Sequence, residues 1–508
     1  MTNRTTVSLV GVLAALAAVI GIAFAFAPAP AGSSNTSAST AAERRPIERS
    51  TLLCPAPTNS DYASTAYTAY TPPGDGNALG SNGTGSAQLM PVQIGDGTGV
   101  VKNAPGMGKP VDPLTAPGKP VTSTNDNSST APLVGTATGT LAPGWTVQET
   151  TTISVGPGRG VLGMACTTPG TDFWFPGAST SSERQDYVHL TNPDSTPAVA
   201  DIELYDSNGA VQTNGTGGVT IPANSSIPIL LSTLTGGQEN DLTVHVAVRT
   251  GRVGAAIQAM DTKLGSDWLP ASAPPAGSAV LPGIPADATS VHLVTYGTGS
   301  SDANLKVQLL TPNGAITPAG NQTLDVKSGL TISTDFQSLT QGQAGSLLLT
   351  PVDSGNAAPF VGAVRITRGN GGSQEMAFLP STGQVGRRAT AADNRSSGTT
   401  LSLAALSGDA TVKVTASAGT SGGTSVSKTI TVKGGTTMAF APPQPSGGAG
   451  SGSYAVTVEP VSGGPVYASR MLELSQEGLP MFTIQPMSDD GGTVAVPQAD
   501  QDLSILER

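Results

Sequence analysis

The side chains that most often carry out catalysis are sparse and scattered in this chain. It has three histidines, His189, His245 and His292, and one match to the loop of a nucleophilic serine, Gly419-Thr420-Ser421-Gly422-Gly423. That loop needs a strand-to-helix turn and a histidine base, whereas no helical periodicity and no histidine follow it here. His245 stands between two valines, so it faces away from the apolar side of its strand. We interpret the serine as a chance match and predict that the histidines are surface strand residues.

Carboxylates and metal ligands give no stronger signal. A divergent glycan hydrolase would need two carboxyl groups that face each other, and Asp61 and Asp96 are candidates whose spacing cannot show this. Gly108-Lys109-Pro110 and Gly118-Lys119-Pro120 lack the hydroxyl residue of a phosphate-binding loop. No metal-ligand spacing joins the histidines. The sequence therefore predicts no catalytic residues, no cofactor and no metal site.

Tryptophans would suit a glycan-binding site, because a sugar stacks on their flat faces. Trp145, Trp174 and Trp268 are the candidates for such a role. An aromatic–proline signature, however, recurs at Phe173-Trp174-Phe175-Pro176 and Asp267-Trp268-Leu269-Pro270. Its position near the ends of repeats favours packing between neighbouring modules for Trp174 and Trp268.

Two cysteines, Cys54 and Cys166, are the only ones in the chain. An exported chain meets an oxidising environment, which favours a disulfide over two free thiols. Closure of so long a loop would stabilise the fold by about 4–5 kcal/mol if the bond is unstrained. We predict that they form a disulfide in the first folded module.

These residues sit in a chain that repeats about every hundred residues. A block of small residues recurs as Leu162-Gly163-Met164-Ala165, Val253-Gly254-Ala255-Ala256 and Val361-Gly362-Ala363-Val364, with a weaker copy at Val466-Tyr467-Ala468-Ser469. Repeats of this length are the size of one small β-sandwich.

Alternating polarity indicates that each repeat is built of strands. Ala200, Ile202 and Leu204 alternate with polar residues, which is typical of half-buried antiparallel strands. Asn208-Gly209 and Asn313-Gly314 predict hairpins. The sequence therefore predicts an all-β chain of tandem Ig-like sandwiches arranged in a row, with a four-bladed β-propeller as the alternative. Residues 74–127 are rich in turn formers and predict long loops.

The predicted organisation has seven parts. They are a signal anchor or transmembrane segment at 1–31, a Ser/Thr/Ala-rich linker at 32–50, β modules at 51–173, 174–270, 271–380 and 381–487, and an acidic tail at 488–508.

The N-terminus predicts export. Residues 7–27 form an uncharged apolar run that is long enough to span a bilayer, which favours a single-pass anchor with the rest of the chain outside the cell. Cleavage after Ala31, giving a secreted protein, remains the alternative. A net charge of −11 argues against a nucleic-acid partner.

The cysteines and the tryptophan motifs together resemble an exported actinobacterial family known only as a domain of unknown function. The resemblance rests on Leu53-Cys54-Pro55, on Ala165-Cys166 leading into Asp172-Phe173-Trp174-Phe175-Pro176-Gly177, and on Asp267-Trp268-Leu269-Pro270. It extends over nearly everything after the apolar run. It implies a cell-envelope location and supplies no catalytic residues.

Three functions follow as hypotheses. The first is a non-catalytic, membrane-tethered envelope protein that acts as a scaffold or interaction module. Its partner would be another envelope protein. The second is a receptor for cell-wall glycan, and the third is a carboxylate-dependent glycan hydrolase. The absence of an acid, base or nucleophile cluster in the sequence favours the first.

Overall fold

The computed structural model describes residues 44–74, 84–97, 100–126, 128, 130–214, 218–447, 452–476 and 478–496. This described part is almost entirely β-structure, as predicted, and its only helical turns are 3-10 turns at Leu231–Thr233 and Gly371–Ser373. Nowhere in it is there a helix long and apolar enough to cross a bilayer. The predicted anchor, the predicted linker up to residue 43 and the tail from residue 497 lie outside the described residues.

The chain divides into two compact units, one formed by residues 46–494 and the other by residues 1–45 and 495–508. The first and last described strands are β1 (Arg44–Pro46) and β38 (Thr493–Ala495). The side chain of Asp490, in the predicted acidic tail, is only 7% exposed and accepts a hydrogen bond from Arg388. All the sandwiches described below belong to the first unit.

Each sandwich consists of two sheets that enclose an apolar core. The first sandwich contains β2 (Arg49–Cys54), β3 (Ala63–Tyr70), β4 (Gly85–Pro91), β7 (Val111–Leu114), β8 (Val121–Asn125), β9 (Leu133–Gly139), β10 (Thr146–Ile153) and β11 (Gly160–Ala165). The second contains β5 (Gln93–Gly95), β6 (Val101–Lys102), β12 (Asp172–Ala178), β13 (Arg184–Asn192), β14 (Ala198–Asp206), β15 (Gly209–Ala210), β16 (Val219–Ile221), β17 (Ser225–Leu230), β18 (Leu242–Thr250), β19 (Gly254–Asp261) and β20 (Gly265–Leu269).

The third and fourth sandwiches repeat this plan. The third contains β21 (Ala279–Ile284), β22 (Ala288–Gly297), β23 (Ala303–Thr311), β24 (Gly314–Ile316), β25 (Thr323–Val326), β26 (Thr331–Gln337), β27 (Gly345–Pro351), β28 (Phe360–Arg368) and β29 (Glu375–Pro380). The fourth contains β30 (Ala389–Asn394), β31 (Thr399–Ala405), β32 (Ala410–Gly419), β33 (Val426–Val432), β34 (Thr436–Phe440), β35 (Tyr454–Gly463), β36 (Val466–Glu473) and β37 (Phe482–Met487).

One sheet of every sandwich has the same strand order, which we call the inner sheet. The inner sheets are β11-β10-β3-β8, β20-β19-β13-β17, β29-β28-β22-β26 and β37-β36-β31-β34. In the second sandwich, β5 and β6 extend the inner sheet beyond β17. The hairpins predicted at Asn208-Gly209 and Asn313-Gly314 connect β14 to β15 and β23 to β24. In each, the glycine that follows the two-residue loop has a positive φ, a conformation that glycine adopts readily.

The prediction of long loops at residues 74–127 is wrong where the structure describes them. Strands β4 to β8 lie between residues 85 and 125. These strands bury small side chains such as Ala87 beside Leu89, so their apolar alternation is weak. In addition, β5 and β6 join the sheet of the second sandwich rather than that of the first.

The four sandwiches form a closed ring rather than the predicted row. The edge strands of the inner sheets, β11, β20, β29 and β37, contact one another in cyclic order. Neighbouring cores are shared as a result: Phe378 of the third sandwich lies in the core of the second, and Phe482 of the fourth lies in the core of the third. A β-propeller also closes around an axis, but each of its blades is a single sheet, whereas each unit here is a pair of sheets.

Asp267 lies where the four edge strands meet and is fully buried. Its Oδ1 accepts hydrogen bonds from the Gly163 backbone N–H at 3.3 Å and from Thr483 Oγ1 at 3.0 Å. Its Oδ2 accepts one from the Phe378 backbone N–H at 3.2 Å. One carboxyl group of the second sandwich thus accepts hydrogen bonds from each of the other three sandwiches.

In two of its copies, the small-residue block lies at a close contact between sandwiches. A Cβ atom on Gly163 would lie 2.5 Å from Thr483 Cγ2, and one on Gly254 would lie 2.7 Å from Leu53 Cδ1. Both distances are shorter than carbon atoms tolerate, so only glycine allows the neighbouring sandwich to approach this closely.

Candidate functional site

The candidate site begins with the polar face of β13. Val188 and Leu190 point into the core of the second sandwich, so Gln185, Tyr187 and His189 point to the opposite face. An isolated sandwich would expose this face to solvent. Ring closure covers it with the first sandwich instead, and the side chains become more buried from Gln185 towards His189.

A cavity of about 1030 Å³ lies between this face and the first sandwich. Gln258 and Met260 on β19 and Ser266 on β20 continue its floor, while Ile153 and Leu162 of the first sandwich lie opposite. Its volume is within the range of cavities that hold drug-sized or somewhat larger ligands. The cavity therefore has the dimensions of a binding site for a small molecule.

His189 is the most unusual side chain in the cavity wall. It is only 5% exposed, and neither ring nitrogen has a hydrogen-bonding partner in the protein. Its ring stands edge-on to the ring of Trp268, with 5.2 Å between the centroids. Burial lowers the pKa of His189 to about 4. The imidazole is therefore neutral at neutral pH, with one nitrogen that donates and one that accepts.

The remaining polar groups leave the interior of the cavity uncharged. Among the described residues that line it, the charged ones are Asp96 and Lys102, and both are exposed. The Ser266 hydroxyl is buried without a protein partner, whereas Gln258 Nε2 donates to the carbonyl of Pro57. Among the described lining residues, the buried side-chain polar atoms without a protein partner are the His189 ring nitrogens and the Ser266 hydroxyl, which makes these two side chains the candidate ligand contacts.

The candidate catalytic carboxylates do not come together in this cavity. Asp96 is the one carboxylate among the described lining residues, and Asp61 is an exposed residue outside the lining. Ser421 is exposed in the turn between β32 and β33. The described cavity wall thus lacks the facing carboxyl groups of a glycan hydrolase.

The tryptophans considered for sugar stacking pack against protein. Trp145 is buried in the core of the first sandwich. Trp174 stacks on the His245 ring at 3.8 Å and lies 5.4 Å from the Tyr296 ring of the third sandwich. Trp268 is buried among residues of the first and second sandwiches. Trp174 and Trp268 therefore pack between neighbouring modules.

The prediction of surface histidines is wrong for His189 and His292, which are both buried. His292 lies between two carboxylates, with Nε2 2.7 Å from Asp241 Oδ1 and Nδ1 2.7 Å from Asp335 Oδ1. Burial alone would lower the pKa of His292, but hydrogen bonding and charge from Asp241 outweigh it and the pKa is raised. A neighbouring sandwich covers the strand face that carries each of these two histidines.

The predicted disulfide between Cys54 and Cys166 is present, in the first sandwich. The buried carboxyl group of Glu149 lies close to both sulfur atoms, an arrangement that resembles a metal site. The sulfur atoms are bonded to each other and so do not act as thiolate ligands. Burial raises the pKa of Glu149 well above its usual value.

Comparison with known proteins gives a family without a known activity. The model of a family described as "Family of unknown function (DUF5719)" matches residues 121–443, which is more than half of the chain. No curated protein matches the chain.

Proposed function

Because the chain belongs to the DUF5719 family, whose function is unknown, we propose a function from the geometry of the cavity. The protein is a non-catalytic binding protein that holds a small uncharged molecule between its first two sandwiches. The observation that carries this proposal is the buried His189 imidazole, which faces a cavity of about 1030 Å³ and has no protein partner. A neutral polar group beside apolar walls is the usual composition of a ligand site.

A location outside the cytoplasm is part of the proposal. The disulfide supports it, since such bonds persist in oxidising compartments. The uncharged apolar run at residues 7–27 supports it as well. The ring serves as a rigid scaffold that fixes the two walls of the cavity relative to each other.

The proposal is tested by titrating the full chain with N-phenyl-1-naphthylamine, an uncharged probe that fluoresces in apolar sites. Two exposed valines supply matched variants: Val155 lines the cavity, while Val352 does not. We expect saturable binding at one site, weakened about tenfold by Val155→Trp, which narrows the cavity, and unchanged by Val352→Trp. Binding that is not saturable, or that Val155→Trp leaves unchanged, contradicts the proposal.

A further inference from the structure

We infer that the molecule held in this cavity is an amphiphilic alcohol, a mainly apolar and uncharged molecule whose hydroxyl group hydrogen-bonds to His189. This inference rests on the proposed binding function and specifies the chemical class of the ligand.

The hydrogen-bonding capacity of His189 selects the polar group. A neutral imidazole offers one donor and one acceptor, and a hydroxyl group can pair with either nitrogen. A carboxylate only accepts hydrogen bonds and an ammonium only donates them. Both nitrogens are buried and lack protein partners, so a hydroxyl group can pair with whichever of them faces the ligand, as donor or as acceptor.

The lack of a buried counter-ion excludes a charged ligand group beside His189. The charged lining residues, Asp96 and Lys102, are exposed, so a buried carboxylate or ammonium beside His189 would have no counter-ion in the described wall. A buried charge without a partner is strongly unfavourable. The imidazole does not supply the missing positive charge, because it is neutral at neutral pH.

The rest of the cavity suits a chain of apolar atoms. The sheet register places Ser266 opposite Met260 and Met260 opposite Gln185, four residues from His189 along β13. Four residues of strand span about 13 Å. Met260 and the facing side chains of Ile153 and Leu162 line the cavity, so an alkyl chain extending from a hydroxyl at His189 would contact apolar side chains.

The test is a competition at pH 7 between the bound fluorescent probe and four eight-carbon compounds. They are 1-octanol, octanoate, octylamine and 1-fluorooctane, which share a chain and differ in the terminal group. We expect 1-octanol to compete about tenfold better than each of the others.

Two variants of His189 assign the preference to the imidazole. His189→Leu removes both hydrogen-bonding atoms and should reduce 1-octanol to the level of 1-fluorooctane. His189→Gln keeps a donor and an acceptor and should retain part of the preference. Thermal unfolding of each variant establishes that it is folded, and competition by 1-fluorooctane, which has no hydroxyl group for His189, establishes that the cavity persists.

The outcomes separate this inference from the binding function. If the probe binds saturably but octanoate, octylamine or 1-fluorooctane competes as well as 1-octanol, the inference is overturned and the binding function stands. A preference for 1-octanol that survives in His189→Leu also overturns it. If the probe does not bind to the wild-type chain, both proposals fail.

Discussion

At the residue scale, Asp267 connects all four sandwiches through hydrogen bonds. It is fully buried, and its two oxygens accept hydrogen bonds from residues of the three other sandwiches. Burial raises the pKa of Asp267 well above its usual value, although these hydrogen bonds oppose the rise. Asp267 is not among the residues that line the cavity, so its hydrogen bonds serve the contacts between sandwiches.

We predict that Asp267→Ala lowers the free energy of unfolding by about 3 kcal/mol, because two buried N–H groups and one hydroxyl lose their acceptor. Asp267→Asn retains one acceptor oxygen and should lose less. Denaturation in guanidinium chloride measures both variants. Stability equal to that of the wild type in Asp267→Ala would show that the axis does not depend on this carboxyl group.

The pKa of His189 predicts a dependence of stability on pH. The folded pKa is about 4, below the unfolded value of about 6.5, so the unfolded chain binds more protons between these values. The contribution is fully present above about pH 6.5 and is lost as the pH falls towards 4. At about 1.4 kcal/mol per pKa unit, this amounts to roughly 3 kcal/mol.

His189→Gln should remove this loss, so its free energy of unfolding should fall by roughly 3 kcal/mol less than that of the wild type between pH 7 and pH 4. Urea denaturation at a series of pH values makes the comparison, in which other acidic groups affect both proteins equally. Parallel pH profiles would contradict the buried, neutral state of the imidazole.

At the scale of elements, the sequence predicts most of the strands but not the surroundings of their polar faces. Alternation locates β14 and the Asn-Gly hairpin that follows it, because both are determined by neighbouring residues. The cavity depends on which sandwich covers β13, and this contact joins residues far apart in the chain. Local periodicity contains no information about such a contact, so it predicts a surface position for His189.

The disulfide between two elements is predicted from the sequence and is present in the structure. It joins β2 to the segment after β11 across 112 positions. The double variant Cys54→Ser, Cys166→Ser should lose about 4–5 kcal/mol of unfolding free energy, because the unfolded chain is no longer restrained. A reducing agent should destabilise the wild type similarly and leave the double variant unchanged. Equal stability of the two proteins without reductant would contradict this.

For the whole molecule, an ion pair also links sandwiches that are not adjacent in the chain. Arg159 Nε of the first sandwich donates to Glu375 Oε1 of the third at 2.6 Å. Glu375 is almost completely buried, and burial raises its pKa although Arg159 opposes this. The repeat length predicts four modules, but a repeat along a sequence does not distinguish a row of modules from a ring.

We predict that Arg159→Ala lowers the unfolding free energy by about 3 kcal/mol, because it leaves the Glu375 carboxylate buried without its partner. Adding Glu375→Gln removes the buried charge and should recover part of the loss. Thermal unfolding of the two variants and the wild type measures the effect. No loss in Arg159→Ala would mean that this ion pair does not stabilise the ring.

The central claim is that the cavity ending at His189 binds an uncharged ligand, and the chain's three histidines allow a direct test. Full-length protein labelled with 15N only in histidine would be titrated with 1-octanol and observed by NMR, using His189→Gln to assign the His189 signal. The account predicts a saturable shift of the His189 ring nitrogens, with those of His245 and His292 unchanged. Unaltered His189 signals at saturating 1-octanol, or equal shifts of all three histidines, would contradict it.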